Sequence, residues 1–131
     1  MVIVDTSAWI EYFRDGAPSV VEKVDRCLDQ DLVAIGDLVY CEVMQGIRSP
    51  RQHQEISSLF QWLPRFEMVG FHIAERAARN YRVLRSRGVT VRKTIDVLIG
   101  TFCAENGLPI IHYDRDFDLM AKHIGLVVWT P

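Results

Sequence analysis

The sequence predicts an α/β fold, a three-layer sandwich around a central parallel sheet of about five strands. Three observations carry that prediction. Short apolar runs of strand length recur at residues 2–4, 32–36, 66–70, 109–113 and 126–129. Segments with apolar residues at helical spacing separate each run from the next, and connections of that length join parallel neighbours. No repeat, low-complexity tract or linker interrupts the pattern, so residues 1–131 read as a single domain.

Taken in order, Val2, Ile3 and Val4 form a buried strand whose carboxyl end presents Asp5. Thr6 and Ser7 lead into a helix over 8–13, closed by Asp15, Gly16 and Pro18. Val20, Val21, Val24, Cys27 and Leu28 share one helical face, predicting a helix over 19–30. The run 32–36 is the second strand. Asp37 is the predicted N-cap of a helix reaching about Ile47, with Glu42 in its middle. Ser49 and Pro50 form a break with proline at a first helical position, and a helix follows over 51–62. Residues 66–70 are a weaker third strand, interrupted by Glu67.

Ile73, Ala74, Ala77, Ala78, Tyr81 and Leu84 line one face of a helix over 72–85. Arg76, Arg79, Arg82 and Arg85 step three apart over its other side, and Arg87-Gly88 stops it. Thr94 is the predicted cap of a helix over 95–105 that ends at Asn106-Gly107. The fourth strand, 109–113, again ends on a carboxylate, Asp114. A short helix over 117–123 stops at Gly125, and 126–129 closes the sheet as the fifth strand.

Bulk composition removes several classes of function. With 49% hydrophobic residues the chain is not disordered. No apolar run approaches the roughly 18 residues that span a bilayer. The N-terminus enters a strand without a basic region or cleavage site, which predicts a cytoplasmic protein with no membrane partner. Cys27, Cys41 and Cys103 are widely spaced and form no C-x-x-C pair, so reduced thiols are expected rather than disulfides or zinc. His53, His72, His112 and His123 are scattered and make no H-E-x-x-H. His112, on a predicted buried strand, reads first as a satisfied interior histidine and second as a support for a nearby site.

The net charge of −2 hides an asymmetry. Seven basic residues and no acid lie between Arg76 and Lys93, while the rest of the chain holds eight basic and seventeen acidic residues. A phosphate-bearing partner and a merely solvated helix face explain the basic segment equally well.

Four carboxylates stand out by position. Asp5 and Asp114 terminate apolar strands, Asp96 lies in the first turn after Thr94, and Glu42 sits mid-helix after the second strand. In open α/β sheets ligands bind beyond the carboxyl ends of strands. Each acid alone has a plain structural role. Asp5 could cap a helix, Asp96 could favour its helix dipole, and Glu42 could face solvent. Asp114 could open a turn, and Asp116 could cap the helix after it. Together they repel one another, and such a cluster persists when a cation neutralises it. Oxygen ligands without His or Cys select Mg²⁺ or Mn²⁺.

These residues also carry a resemblance. Val2-Ile3-Val4-Asp5-Thr6-Ser7, Glu42 within Tyr40-Cys41-Glu42-Val43, Asp96 within Thr94-Ile95-Asp96-Val97-Leu98-Ile99, and the run from Leu108 to Phe117 resemble the PIN-domain family. The likeness is greatest to VapC-type toxins of toxin–antitoxin pairs, and it covers essentially the whole chain in order. Its most specific parts are V-D-T-S and D-x-D-F. That family usually has Thr just before the strand-tip acid, so His112-Tyr113 is a departure that keeps the carboxylate.

The resemblance implies a magnesium- or manganese-dependent endoribonuclease, with Asp5, Glu42, Asp96 and Asp114 as the catalytic, metal-holding quartet. Asp116 would be an auxiliary acid, and Thr6 or Ser7 would lend a hydroxyl or backbone N–H. Hydrolysis would leave 5′-phosphate and 3′-hydroxyl ends, with a metal-activated water as nucleophile. It also implies a homodimer and a VapB-type antitoxin segment in a hydrophobic groove, with part of the Trp9, Tyr12, Phe13 helix facing a partner. Arg92 and Lys93, just before Thr94, would hold RNA backbone nearest the metals, with Arg85 and Arg82 behind them.

Competing readings are weaker. A response-regulator domain wants adjacent acids after the first strand, where this chain has Thr6-Ser7. An aspartyl-phosphate phosphatase wants a second acid there. Neither G-x-x-x-x-G-K-[ST] nor G-x-G-x-x-G is present for nucleotide binding. A PIN-like domain that has lost catalysis and only binds RNA or protein is the closest rival.

Overall fold

The computed structural model describes all of residues 1–131. Its elements run β1 (Val2–Val4), α1 (Thr6–Phe13), α2 (Pro18–Asp29), β2 (Val33–Gly36), α3 (Asp37–Gln45) and α4 (Pro50–Phe60). There follow β3 (Arg65–Phe66), α5 (Gly70–Ser86), α6 (Thr94–Glu105), β4 (Ile110–Ile111) and α7 (Arg115–Ala121). All strand pairs are parallel, in the order β3-β2-β1-β4. Val2 pairs with Val33, and Ile3 faces both Ala34 and Ile110.

Central strands covered on both faces need apolar side chains on both, and β1 and β2 are buried at every position. Right-handed crossovers carry the chain from β1 to β2 to β3 in one direction and back to β4 in the other. The helices α1–α4 therefore cover one face and α5–α7 the opposite one. The packing of α1 on α2 and α3, and of α6 on α5 and α7, follows that division. No helix is long and apolar enough to cross a membrane.

The sheet has four strands rather than about five. The segment predicted as a fifth strand makes one parallel bridge, Ile110 to Val128, with Ile110 N–H donating to Val127 O and Trp129 N–H to Ile110 O. Val127 is exposed, so nothing covers this edge to extend the pairing. The third strand is shifted to Arg65–Phe66, and just past it the Met68 N–H donates to the Asp37 carboxylate instead of a neighbouring strand.

Three caps also differ from expectation. Gly36, not Asp37, is the N-cap of α3, and Asp37 Oδ1 instead accepts from Leu38 N–H and, across the chain, from Met68 N–H. A Cβ at Gly36 would lie 2.1 Å from Met68 Sδ, so the strand end needs glycine for Met68 to pack there. Lys93 rather than Thr94 precedes α6 as its N-cap. Asp114 rather than Asp116 caps α7, accepting from Asp116 N–H at 2.9 Å.

Candidate metal centre

The strand order changes direction between β1 and β4, and a crevice opens at their carboxyl ends. Asp5 follows β1, and its N–H donates to Ile111 O of β4 at 2.8 Å. Asp114 follows β4 three residues on. The first turns of α3 and α6 start at the same edge, which brings Glu42 and Asp96 in from either side. Two overlapping groups result, Asp5 with Glu42 and Asp96, and Asp96 with Asp114 and Asp116. Within each group the candidate ligand atoms lie within 4.8 Å of one another. Asp96 belongs to both, so all five acids named from the sequence surround one place.

The hydroxyls of α1 organise this cluster. Thr6 Oγ1 donates to Glu42 Oε1 at 2.8 Å. Ser7 donates to Asp5 Oδ2 twice, through its N–H at 2.9 Å and its Oγ at 2.6 Å. The same Ser7 Oγ accepts the Tyr113 N–H at 2.9 Å, tying α1 to the loop that carries Asp114. Asp5 is thus a helix cap and a cluster acid at once, one oxygen serving each role. Its Oδ2 is occupied by Ser7, whereas its Oδ1 is buried without any hydrogen-bond partner.

His112 supports Asp114 from below. Asp114 N–H donates to His112 Nδ1 at 3.0 Å, so Nδ1 carries the lone pair and Nε2–H points to Asp118 Oδ1, also at 3.0 Å. Both readings of this histidine fit the geometry, since its side chain is nearly buried with both ring nitrogens paired, and one of those bonds holds the Asp114 backbone. Only its place on the strand hinted at this, because Asp118 lies a helical turn further on.

Electrostatics match a cluster missing its counter-charge. Burial, opposed by the Ser7 bonds, pushes Asp5 above the ordinary carboxylate range. Burial first and the Asp5 charge second push Asp96 up to about 7, with Lys93 pulling the other way. A helix N-terminus alone would stabilise the Asp96 anion, so here desolvation and repulsion outweigh the dipole.

A hard divalent cation fits these residues. The donor set is all carboxylate, one buried oxygen is unpaired, and the spacing needs little side-chain movement to reach coordination at about 2.1 Å.

The predicted basic residues separate into two places. Arg92 lines a groove with Asp114, and Lys93 is close enough to act on Asp96. Arg82 and Arg85 instead line a different, largely apolar groove between α5 and α6. Arg76 reaches Glu105 at 3.4 Å. On α1, Trp9 is fully buried among Tyr12, Phe13 and Phe60, while Tyr12 and Phe13 are half-buried and Ile10 is 52% exposed.

Comparison with known proteins places this arrangement. A family model described as PIN domain matches residues 2–123. Ribonuclease VapC11 of Mycobacterium tuberculosis is 32% identical over 128 residues, 96% of each chain. In fold, the chain is similar to the Rickettsia felis VapBC2 structure solved with a DNA fragment of its promoter, at TM-score 0.76, 13% identity, and coverage of 99% of this chain and 100% of that one. It is also similar to a toxin–antitoxin complex from Klebsiella pneumoniae, at TM-score 0.67, 20% identity and 88% coverage of both. The family match spans nearly the whole chain and contains every acid of the cluster, so this chain belongs to the PIN domain family.

Proposed function

We propose that this protein is a divalent-metal-dependent endoribonuclease and the toxin of a VapBC-type pair. The observation that carries this reading is the buried Asp5 Oδ1, unpaired inside a carboxylate cluster at the sheet's switch point. Buried polar atoms are almost always satisfied, and a cation held among these acids would give this carboxylate oxygen its partner. The ribonuclease name of a relative identical at 32% of positions supports the choice of RNA phosphodiesters as substrate.

Asp5, Glu42, Asp96 and Asp114 are the residues that would hold Mg²⁺ or Mn²⁺, with Asp116 beside them. When bound, such an ion supplies Lewis acidity, lowering the pKa of water and neutralising charge on the phosphate. The chain's own groups set the stage. Ser7 fixes Asp5 through Oδ2 and leaves Oδ1 free, and Thr6 fixes Glu42. His112 fixes the backbone that carries Asp114. Arg92 and Lys93 hold RNA backbone on the rim. Water adds to phosphorus, the bond to the 3′ oxygen breaks, and that oxygen leaves with a proton, giving 5′-phosphate and 3′-hydroxyl ends.

A cleft of about 310 Å³ beside Glu42, lined by Thr6, Ile10, Phe13, Val43 and Ile56, is the place we assign to a VapB-type antitoxin segment. Exposed Ile10 and half-buried Phe13 supply its apolar floor. The toxin–antitoxin assembly of a structural neighbour supports this partner. We assign the homodimer to the same functional form.

The test is cleavage of a panel of cellular RNAs by the purified chain with Mg²⁺, Mn²⁺ or EDTA. Cutting with either ion and none in EDTA is the expected result. Equal cutting in EDTA would remove the metal from the account, and no cutting under any condition would leave the inactive PIN-like binding domain.

A further inference from the structure

A groove of about 600 Å³ runs beside Asp114. Three cations from three separate elements line it, Lys23 of α2, Arg92 of the loop before α6, and Arg115 of α7. None of the three is held in an ion pair, whereas the groove's acid Asp118 is bonded to His112. Unpaired cations gathered next to a carboxylate cluster suit an anion that passes both. Tyr113, 56% exposed, stands in the same groove one residue before Asp114.

The backbone at Tyr113 is fixed on both sides. Its own N–H is held by Ser7 Oγ at 2.9 Å, and the next N–H by His112 Nδ1 at 3.0 Å. An aromatic ring displayed from a fixed backbone loses little freedom on binding, which is how a recognition platform differs from a loosely exposed side chain. Cations that follow a phosphate backbone, with an aromatic face between them, make the pattern that binds unpaired nucleic-acid bases by stacking.

We propose that this groove is a substrate subsite in which Tyr113 stacks on a base next to the scissile phosphate, while Lys23, Arg92 and Arg115 hold the neighbouring phosphates. The subsite rests on the ribonuclease reading for its position, but not for its binding chemistry. It makes Tyr113 a determinant of which strands are held in register with the acids. An abasic or fully paired segment offers the ring no face and is held by charge alone.

The experiment measures affinity of the full chain in EDTA, where binding is read apart from cutting. The probes are a short fluorescein-labelled oligoadenylate and the same sugar–phosphate chain with abasic sites, followed by fluorescence anisotropy. The wild-type chain is expected to favour the base-bearing strand by about tenfold. Tyr113→Ala should erase that preference and Tyr113→Phe should keep it. Lys23→Ala with Arg115→Ala should weaken both probes alike and reduce the slope of log affinity against log salt by about 1.4, two phosphates' worth for a single strand.

An undiminished preference in Tyr113→Ala overturns the stacking role, and an unchanged salt slope in the double variant overturns the phosphate track. If the wild type cuts RNA while Tyr113→Ala binds as it does, the subsite falls and the nuclease stands. If no divalent ion supports cutting but the base preference still depends on Tyr113, the nuclease reading falls and the subsite stands.

Discussion

Helix α6 has two flanks, both buried, that treat their polar groups in opposite ways. Toward α5, the buried Thr101 hydroxyl accepts from Asn80 Nδ2 at 3.0 Å, and Val97 and Leu98 pack beside it. Toward the sheet edge, Asp96 meets Asp5, Glu42, Asp114 and Asp116, and the Asp5 Oδ1 among them has no partner. On one flank the buried polar groups satisfy each other and serve stability. The other is left incomplete at a cost in repulsion, and that incompleteness marks the working side. A helix that is apolar all round is expected to be buried, so a single acid in its first turn is the place where the local rule is broken.

Substitutions on the two flanks should therefore separate activity from stability. The largest effect is expected from Asp96→Asn, which should lower metal-dependent RNA cleavage by about 10²–10³-fold or more while far-UV circular dichroism stays as in the wild type. Cleavage unchanged in the purified variant would reveal a contaminating nuclease.

The basic residues sharpen the contrast further. Arg92→Ala with Lys93→Ala should weaken RNA binding roughly tenfold at low salt and flatten its salt dependence. The same double change at Arg82 and Arg85, on the α5 side, should have the smaller effect. Equal losses in a filter-binding series would show that RNA spans both flanks.

The acid flank should also declare itself through pH. Asp96 has its carboxyl at about 7 in the folded chain against 3.8 ordinarily, and Asp5 is shifted the same way. The folded state then binds more protons than the unfolded one across that interval. Its contribution is complete below the ordinary value and is lost as pH rises through about 7. In EDTA, Tm should fall between about pH 5.5 and about pH 8, and saturating Mg²⁺ should restore it at the higher pH by more than at the lower. Scanning calorimetry that finds the same Mg²⁺ increment at both would mean that the ion does not displace these protons.

The smallest effect is on the flank facing α5. Asn80→Ala removes the bond to Thr101 and should cost about 1 kcal/mol of stability in urea unfolding. Its kcat should stay at the wild-type value.

Much of this was legible from residue order because the relevant signals are local. Apolar runs ending on Asp5 and Asp114 announced strands meeting a site at the sheet edge, and Ser49-Pro50 announced a helix start. The parallel order followed from the length of the crossovers. Signals that failed depend on distant partners. Asp37 looks like a cap, yet its carboxylate also braces Met68 thirty-one positions away. Residues 126–129 look like a strand but find only Ile110 to pair with. Tyr113 was visible only as a departure from the family pattern, and Lys23 gave no signal at all, since α2 meets the β4 end only after folding.

The bond from Tyr113 N–H to Ser7 Oγ joins positions 106 residues apart. During synthesis the first strand leaves the ribosome long before β4, so a nascent chain carries Asp5 and Glu42 with nothing to complete them. Assembly waits until almost the entire message has been read. A chain cut short before residue 110 lacks Asp114 and Asp116, so the second group of acids around Asp96 has no way to form.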